Sequence, residues 1–153
     1  MWLKEVFFQS ILGVERTARL AIEPGLSRLI LPAGVKPEDL VKVLRSLLYP
    51  EIVSGKELGA MAVGDTAQLG VGVFVQVPGD GNVVHQIFRR MEPESIVMTR
   101  WVNEADPVEI ARGVQAVSAV LGDVHGVPEQ VTVADTMHFL CSSGSVNGLD
   151  LSG

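Results

Sequence analysis

The feature that most constrains this chain is a ten-residue alternation, in which Leu69, Val71, Val73, Val75 and Val77 stand between Gln68, Gly70, Gly72, Phe74 and Gln76. Successive side chains of a strand point to opposite sides, so this spacing lays five apolar side chains on one face of a half-buried strand. Pro78-Gly79-Asp80-Gly81-Asn82 follows as its turn. Val83 to Met91 and Ser95 to Val102 then read as two more strands, with Glu92-Pro93-Glu94 between them. Three consecutive antiparallel strands, a meander, are therefore expected. Gly70-Val71-Gly72 lies inside a strand and completes no G-x-G-x-x-G, so it is no phosphate cradle. Glycines opposite the valines instead allow a bulky side chain or another backbone to come close.

On either side of this meander the pattern changes. Residues 1 to 12 fit a helix through Leu3, Phe7 and Ile11 and a strand through Val6-Phe7-Phe8 equally well. Arg19–Glu23 and Ser27–Leu31 flank Pro24-Gly25, which predicts an N-terminal hairpin through a type II turn. Pro37 suits a first helical position, and Leu40, Val43, Leu44, Leu47 and Leu48 form one apolar stripe that ends at Tyr49-Pro50. Residues 51 to 66 read as a loop with a short strand near Met61. Asp106-Pro107-Val108-Glu109 has the form of a capping box, predicting a helix with Ile110, Val114, Val117 and Leu121 inward and Gly122 as its terminator. Gln130–Val133 and Met137–Cys141 read as further strands. The expected fold is α+β: an antiparallel sheet, made of the N-terminal hairpin and the central meander, packed with two amphipathic helices. Residues 1–141 form the single domain and residues 142–153 a Gly/Ser-rich tail.

Composition narrows the class. The chain has 153 residues, 47% of them hydrophobic, enough for one domain with a real core. A lone Cys141 permits no internal disulfide and no cysteine zinc cage. No apolar run is long enough for a membrane span, and the N-terminal segment is interrupted by Gln9 and Ser10, so neither a membrane partner nor a signal peptide is expected. The net charge of −6 is uneven, with seven basic and five acidic side chains in residues 1–49 against five and thirteen in residues 50–153. The acidic part repels bulk nucleic acid unless its arginines cluster.

Groups that could carry chemistry are sparse. His85, His125 and His138 have no metal-ligand spacing, and a site with Asp80 and Asp123 would have to be assembled by the fold. Asp135, His138, Ser142 and Ser143 lie too close along the chain for a nucleophilic triad, and there is no G-x-S-x-G elbow. Cys141 has no basic neighbour to activate it. No catalytic residue, metal or cofactor is expected, and the chain is not expected to be an enzyme; the alternative is a small ligand-binding domain or enzyme with a histidine-containing cleft. The richest constellation is His85, Arg89, Arg90, Arg100 and Trp101, with Phe88, on two adjacent predicted strands. Arginine and aromatic groups on a sheet suit RNA, through phosphate contacts and base stacking. Adjacent Arg89 and Arg90 point to opposite faces, however, and Glu92, Glu94 and Glu104 lie close, which favours an Arg/Glu network at the sheet surface or at a subunit contact.

A Val- and Gly-rich body with its polar chemistry unlocalised suits a subunit that packs against copies of itself. The expectation is a homo-oligomeric particle component of a virus or phage, such as a coat, decoration or tail-tube protein, found in the virion or host cytoplasm, with other particle proteins as further partners. An RNA-contacting coat or packaging protein that uses His85, Arg89, Arg100 and Trp101 on one sheet surface is the alternative. The tail would keep its entropy unless laid along a neighbour, with Val146, Leu149 and Leu151 as its intersubunit side chains.

Overall fold

A computed structural model describes residues 2–9, 18–21, 36–60, 69–91, 93–103 and 105–127. The expectations for Ser27–Leu31, Met61, Gln130–Cys141 and the tail with Val146, Leu149 and Leu151 lie outside the described residues. Within them the chain runs β1 (Trp2–Gln9), β2 (Ala18–Ala21), α1 (Pro37–Leu48), α2 (Gly55–Gly59), β3 (Gly70–Gln76), β4 (Val83–Met91), β5 (Glu94–Val102), β6 (Val108–Arg112) and α3 (Val114–His125). The strands form one sheet in the order β2-β1-β3-β4-β5-β6, and every neighbouring pair is antiparallel. The mixed α+β class and the meander β3-β4-β5 stand as expected.

The ambiguous first segment is a strand. Val6 and Phe8 are buried on the core face of the sheet, and Phe7 is buried on the other face against the Phe74 and Phe88 rings and the Arg19 guanidinium. A strand packed on both faces loses the alternation by which strands are recognised. Of the expected hairpin, β2 is described, and its partner is β1, with Phe7 opposite Arg19.

One face of the sheet carries the core. Phe8, Val71, Arg89 and Ile96 form one cross-strand row, and Val6, Val73, Ile87, Met98 and Ala111 the next. Helix α1 starts with Pro37 in its first turn and no side-chain cap. It buries Leu40, Val43, Leu44, Leu47 and Leu48 with this face, as its stripe predicted. Helix α3 adds Val117 and Leu121, one turn apart.

Two local readings are corrected. Residues 51–60 contain the short helix α2, whose N-cap is Ser54: its hydroxyl accepts from the Glu57 amide at 3.2 Å. The presumed capping box at Asp106–Glu109 starts no helix. Val108–Arg112 is instead the edge strand β6, paired with β5 through Met98 opposite Ala111 and Arg100 opposite Val108. Pairing to the open side of β5 outweighs a cap signal worth about 1 kcal/mol, and the β-branched Val108 and Ile110 favour it. Ile110 therefore sits on a strand, 39% exposed. The helix begins one residue after Gly113, whose φ of 93° ends the strand and whose amide donates to Ile96 O at 2.9 Å. Gly122 lies within α3, and the left-handed terminator is Gly126 at φ 65°.

Candidate functional site

All three described helices pack on the core face, so none of them covers the opposite one. On that open face, pairing produces a row across six strands: Arg19, Phe7, Gly72, Phe88, Val97 and Arg112. Phe7 and Phe88 stand two strands apart, yet their rings stack at 5.7 Å between centroids with 17° between planes. Gly72 between them makes this possible. A Cβ at Gly72 would clash with Phe7 Cζ, and one at Gly70 would meet Phe88 Cζ at 2.9 Å. The expected role of these glycines, room for a bulky side chain, is thus met by the rings of their own sheet.

The adjoining row is Glu5, Phe74, Gln86, Thr99 and Glu109. Phe74 lies 5.7 Å from Phe7 and meets Trp101 edge to face at 6.2 Å. The indole Nε1–H of Trp101 lies 3.3 Å from Gln86 Oε1 and 3.2 Å from Thr99 Oγ1, which fixes the ring. Among the described residues four aromatic rings, Phe7, Phe74, Phe88 and Trp101, thus lie along the open face. Cations border them: the Arg19 guanidinium lies 5.6 Å over Phe7 and that of Arg90 5.4 Å over Phe88, within cation–π range. Ion pairs close both ends, Arg19 Nη1 to Glu5 Oε1 at 2.7 Å and Arg112 Nη2 to Glu109 Oε1 at 2.5 Å.

The sequence-derived set does not share a surface. Arg90 and Trp101 belong to the open face, whereas His85, Arg89 and Arg100 project from the helix-bearing side. Arg89 is 1% exposed. Its Nη1 donates to Ser46 O at 2.8 Å and Val53 O at 2.9 Å, and its Nη2 lies 3.3 Å from Glu94 Oε1. It therefore clamps the end of α1 and the chain before α2 to the sheet. His85 is buried opposite Arg100, with its Nδ1 2.8 Å from Nε2 of the buried His125. Burial, then the neighbouring Arg100 charge, hold the His85 pKa below its usual value. Burial, His85 and the chain's amino-terminal charge push that of His125 down to about 4. Both rings are thus held neutral.

Other candidates are dispersed or undescribed. Asp80 accepts from the Asn82 amide within the β3–β4 turn, and Asp123 is exposed on α3. Among the described residues no group of three or more His, Cys, Asp and Glu side chains gathers as a metal site. Asp135, His138, Cys141, Ser142 and Ser143 lie outside the described residues. Among the described residues no helix is long and apolar enough to cross a membrane. Sequence reasoning missed Phe7 and Phe74, although Phe74 stood in the alternation opposite the valines. The chain matches no protein-family model, and no curated protein is similar to it.

Proposed function

We propose that this chain is a self-assembling structural subunit, of the kind that builds the shell, tube or surface decoration of a virus or phage particle, and that its open sheet face packs against a second copy. The observation that carries this reading is the row from Arg19 to Arg112, in which the Phe7 ring lies over Gly72 and stacks with Phe88. Around the buried Phe7, the half-buried side chains of Phe74, Phe88, Val97 and Trp101 leave an apolar surface that a like surface can dry and cover. Six strands spaced about 4.8 Å apart and about seven residues long span roughly 650 Å². Two such faces remove roughly 1,300 Å² from water, within the range of specific interfaces.

The test is light scattering after size exclusion, with a negative-stain image of the same peak. Uniform rings, shells, tubes or a defined oligomer are expected, and Val97→Glu, in the middle of the row, should dissociate them with the helical content unchanged. A 16.4 kDa monomer at the highest soluble concentration overturns the reading.

Contact with RNA is the second reading, favoured by the Arg90 guanidinium lying over Phe88. It now rests on Arg90, Phe88 and Trp101 alone. Phosphate contacts would make particle-bound nucleic acid fall steeply with salt, and an ultraviolet ratio typical of pure protein eliminates it.

A further inference from the structure

Four charged side chains at the ends of the open face are sorted by row. Arg19 and Arg112 end the row through Phe7, Phe88 and Val97, whereas Glu5 and Glu109 end the adjoining row through Phe74, Gln86 and Thr99. The split occurs twice, on β1 and β2 at one side of the sheet and on β6 at the other. Each arginine pairs with the glutamate of its own end, yet all four side chains stay partly exposed, from 27% for Glu5 to 63% for Arg19. They can therefore accept further partners.

A face with a cationic row beside an anionic row matches a copy of itself in one orientation only. Contact of two identical faces needs a two-fold axis lying in the plane between them. Packed sheets keep their strands nearly aligned, so this axis runs either along the strands or across them. An axis along the strands exchanges the two ends of the face and leaves each row over itself. Arg19 then faces the second copy's Arg112, and like charges set opposite each other disfavour an interface.

An axis across the strands, in the gap of about 7 Å between the two rows, leaves each end over itself and exchanges the rows. Arg112 then lies over the second copy's Glu109 and Glu109 over its Arg112, while Arg19 lies beside its Glu5. Each end becomes a network of four alternating charges, the form in which exposed ion pairs contribute. Between the ends, Phe74 comes over the second copy's Phe7 ring, which fills the space above Gly72. Arg90, one row outside Phe88, comes over the uncharged Val84.

We propose that the second copy sits on the open face about a two-fold axis perpendicular to the strands, between the arginine row and the glutamate row, so that the end charges pair across the interface. This rests on the self-assembly reading and adds to it the orientation of the copy. Such a contact closes at two copies, so a shell or tube would be built from dimers joined through a second surface.

Complementary charge variants of the full chain test it, by sedimentation equilibrium at low salt, where screening is weak. Arg112→Glu makes its end wholly anionic and Glu109→Arg makes it wholly cationic. Either variant alone sets like charges together twice per dimer and should weaken association about 100-fold or more. An equimolar mixture should recover most of the wild-type affinity as a heterodimer, because the anionic end then meets the cationic one. Circular dichroism checks that both variants fold; should either fail, Arg19→Glu with Glu5→Arg at the other end carries the same test. Tighter association of Arg112→Glu than of wild type identifies the axis along the strands, since the new carboxylate would face Arg19, and overturns the proposal. Unchanged affinity of the single variants, or a mixture no better than its components, overturns it as well. All three results leave self-assembly standing, whereas a monomeric wild-type chain overturns that reading and the proposal with it.

Discussion

Lowering the pH should unfasten α3 from the sheet through the His85–His125 contact. The 2.8 Å separation requires one ring to donate and the other to accept. If His85 Nδ1 donates, His125 carries its proton on Nδ1, which has no partner among the described residues; if His125 Nε2 donates, that Nδ1 is a bare buried acceptor. Two protonated rings would set N–H against N–H. In the unfolded chain a histidine titrates near 6.5, whereas folded His125 titrates at about 4. A histidine with a depressed pKa contributes stability that is complete above the unfolded value. Below it the unfolded chain takes up the proton first, and the contribution drains away until the folded ring titrates. The gap of about 2.5 pH units, at about 1.4 kcal/mol each, sets a ceiling of about 3.5 kcal/mol, lost between pH about 6.5 and about 4. His85 shifts in the same direction. Urea unfolding at a series of pH values measures the slope. His125→Gln, whose amide can still donate to His85 Nδ1, should keep most of the stability at pH about 7.5 and lose His125's share of the slope. Equal slopes for the two proteins across that window would refute the assignment.

Two further substitutions test the sheet's opposite faces. Gly72→Ala puts a methyl group where the Phe7 ring lies and should cost about 1–3 kcal/mol in urea unfolding. Phe7→Leu should recover part of that loss in the double variant, a non-additivity that independent sites would not give. Arg89→Met removes the donor to Ser46 O and Val53 O, and leaving two buried carbonyls unpaired should cost about 3 kcal/mol. The same variant should raise hydrogen exchange in residues 50–59 before the rest of the chain, and uniform exchange would assign Arg89 to the core at large rather than to this connection.

Legibility in the sequence followed the physical origin of each signal. The β3–β5 meander and α1 were readable because each presents one apolar face at its own period. Strand β1 was not, because burial on both sides removes alternation. Capping arguments failed twice in opposite ways. Ser54-x-x-Glu57 has the capping-box spacing and does cap α2, whereas Asp106-x-x-Glu109 has the same spacing and lies at β6. What separates them is what each segment adjoins, since β5 leaves an edge that Val108–Arg112 can pair with. A local signal of about 1 kcal/mol cannot report on that.

The candidate surface turned on a single residue at a turn. If three residues, Glu92 to Glu94, join β4 to β5, Met91 stands opposite Ser95 and His85 opposite Trp101, so that both share a face with Arg89. In the structure Met91 pairs with Glu94, and His85 therefore stands opposite Arg100 while Val84 stands opposite Trp101. A one-residue change of register exchanges the faces of an entire strand. Trp101 thereby leaves His85 and Arg89 to the interior and joins Phe74 on the open side. Composition and alternation located Arg90, Phe88 and Trp101 but not Phe7 and Phe74. Which residues share a face follows from the closure of one hairpin, a quantity that no single residue's chemistry records.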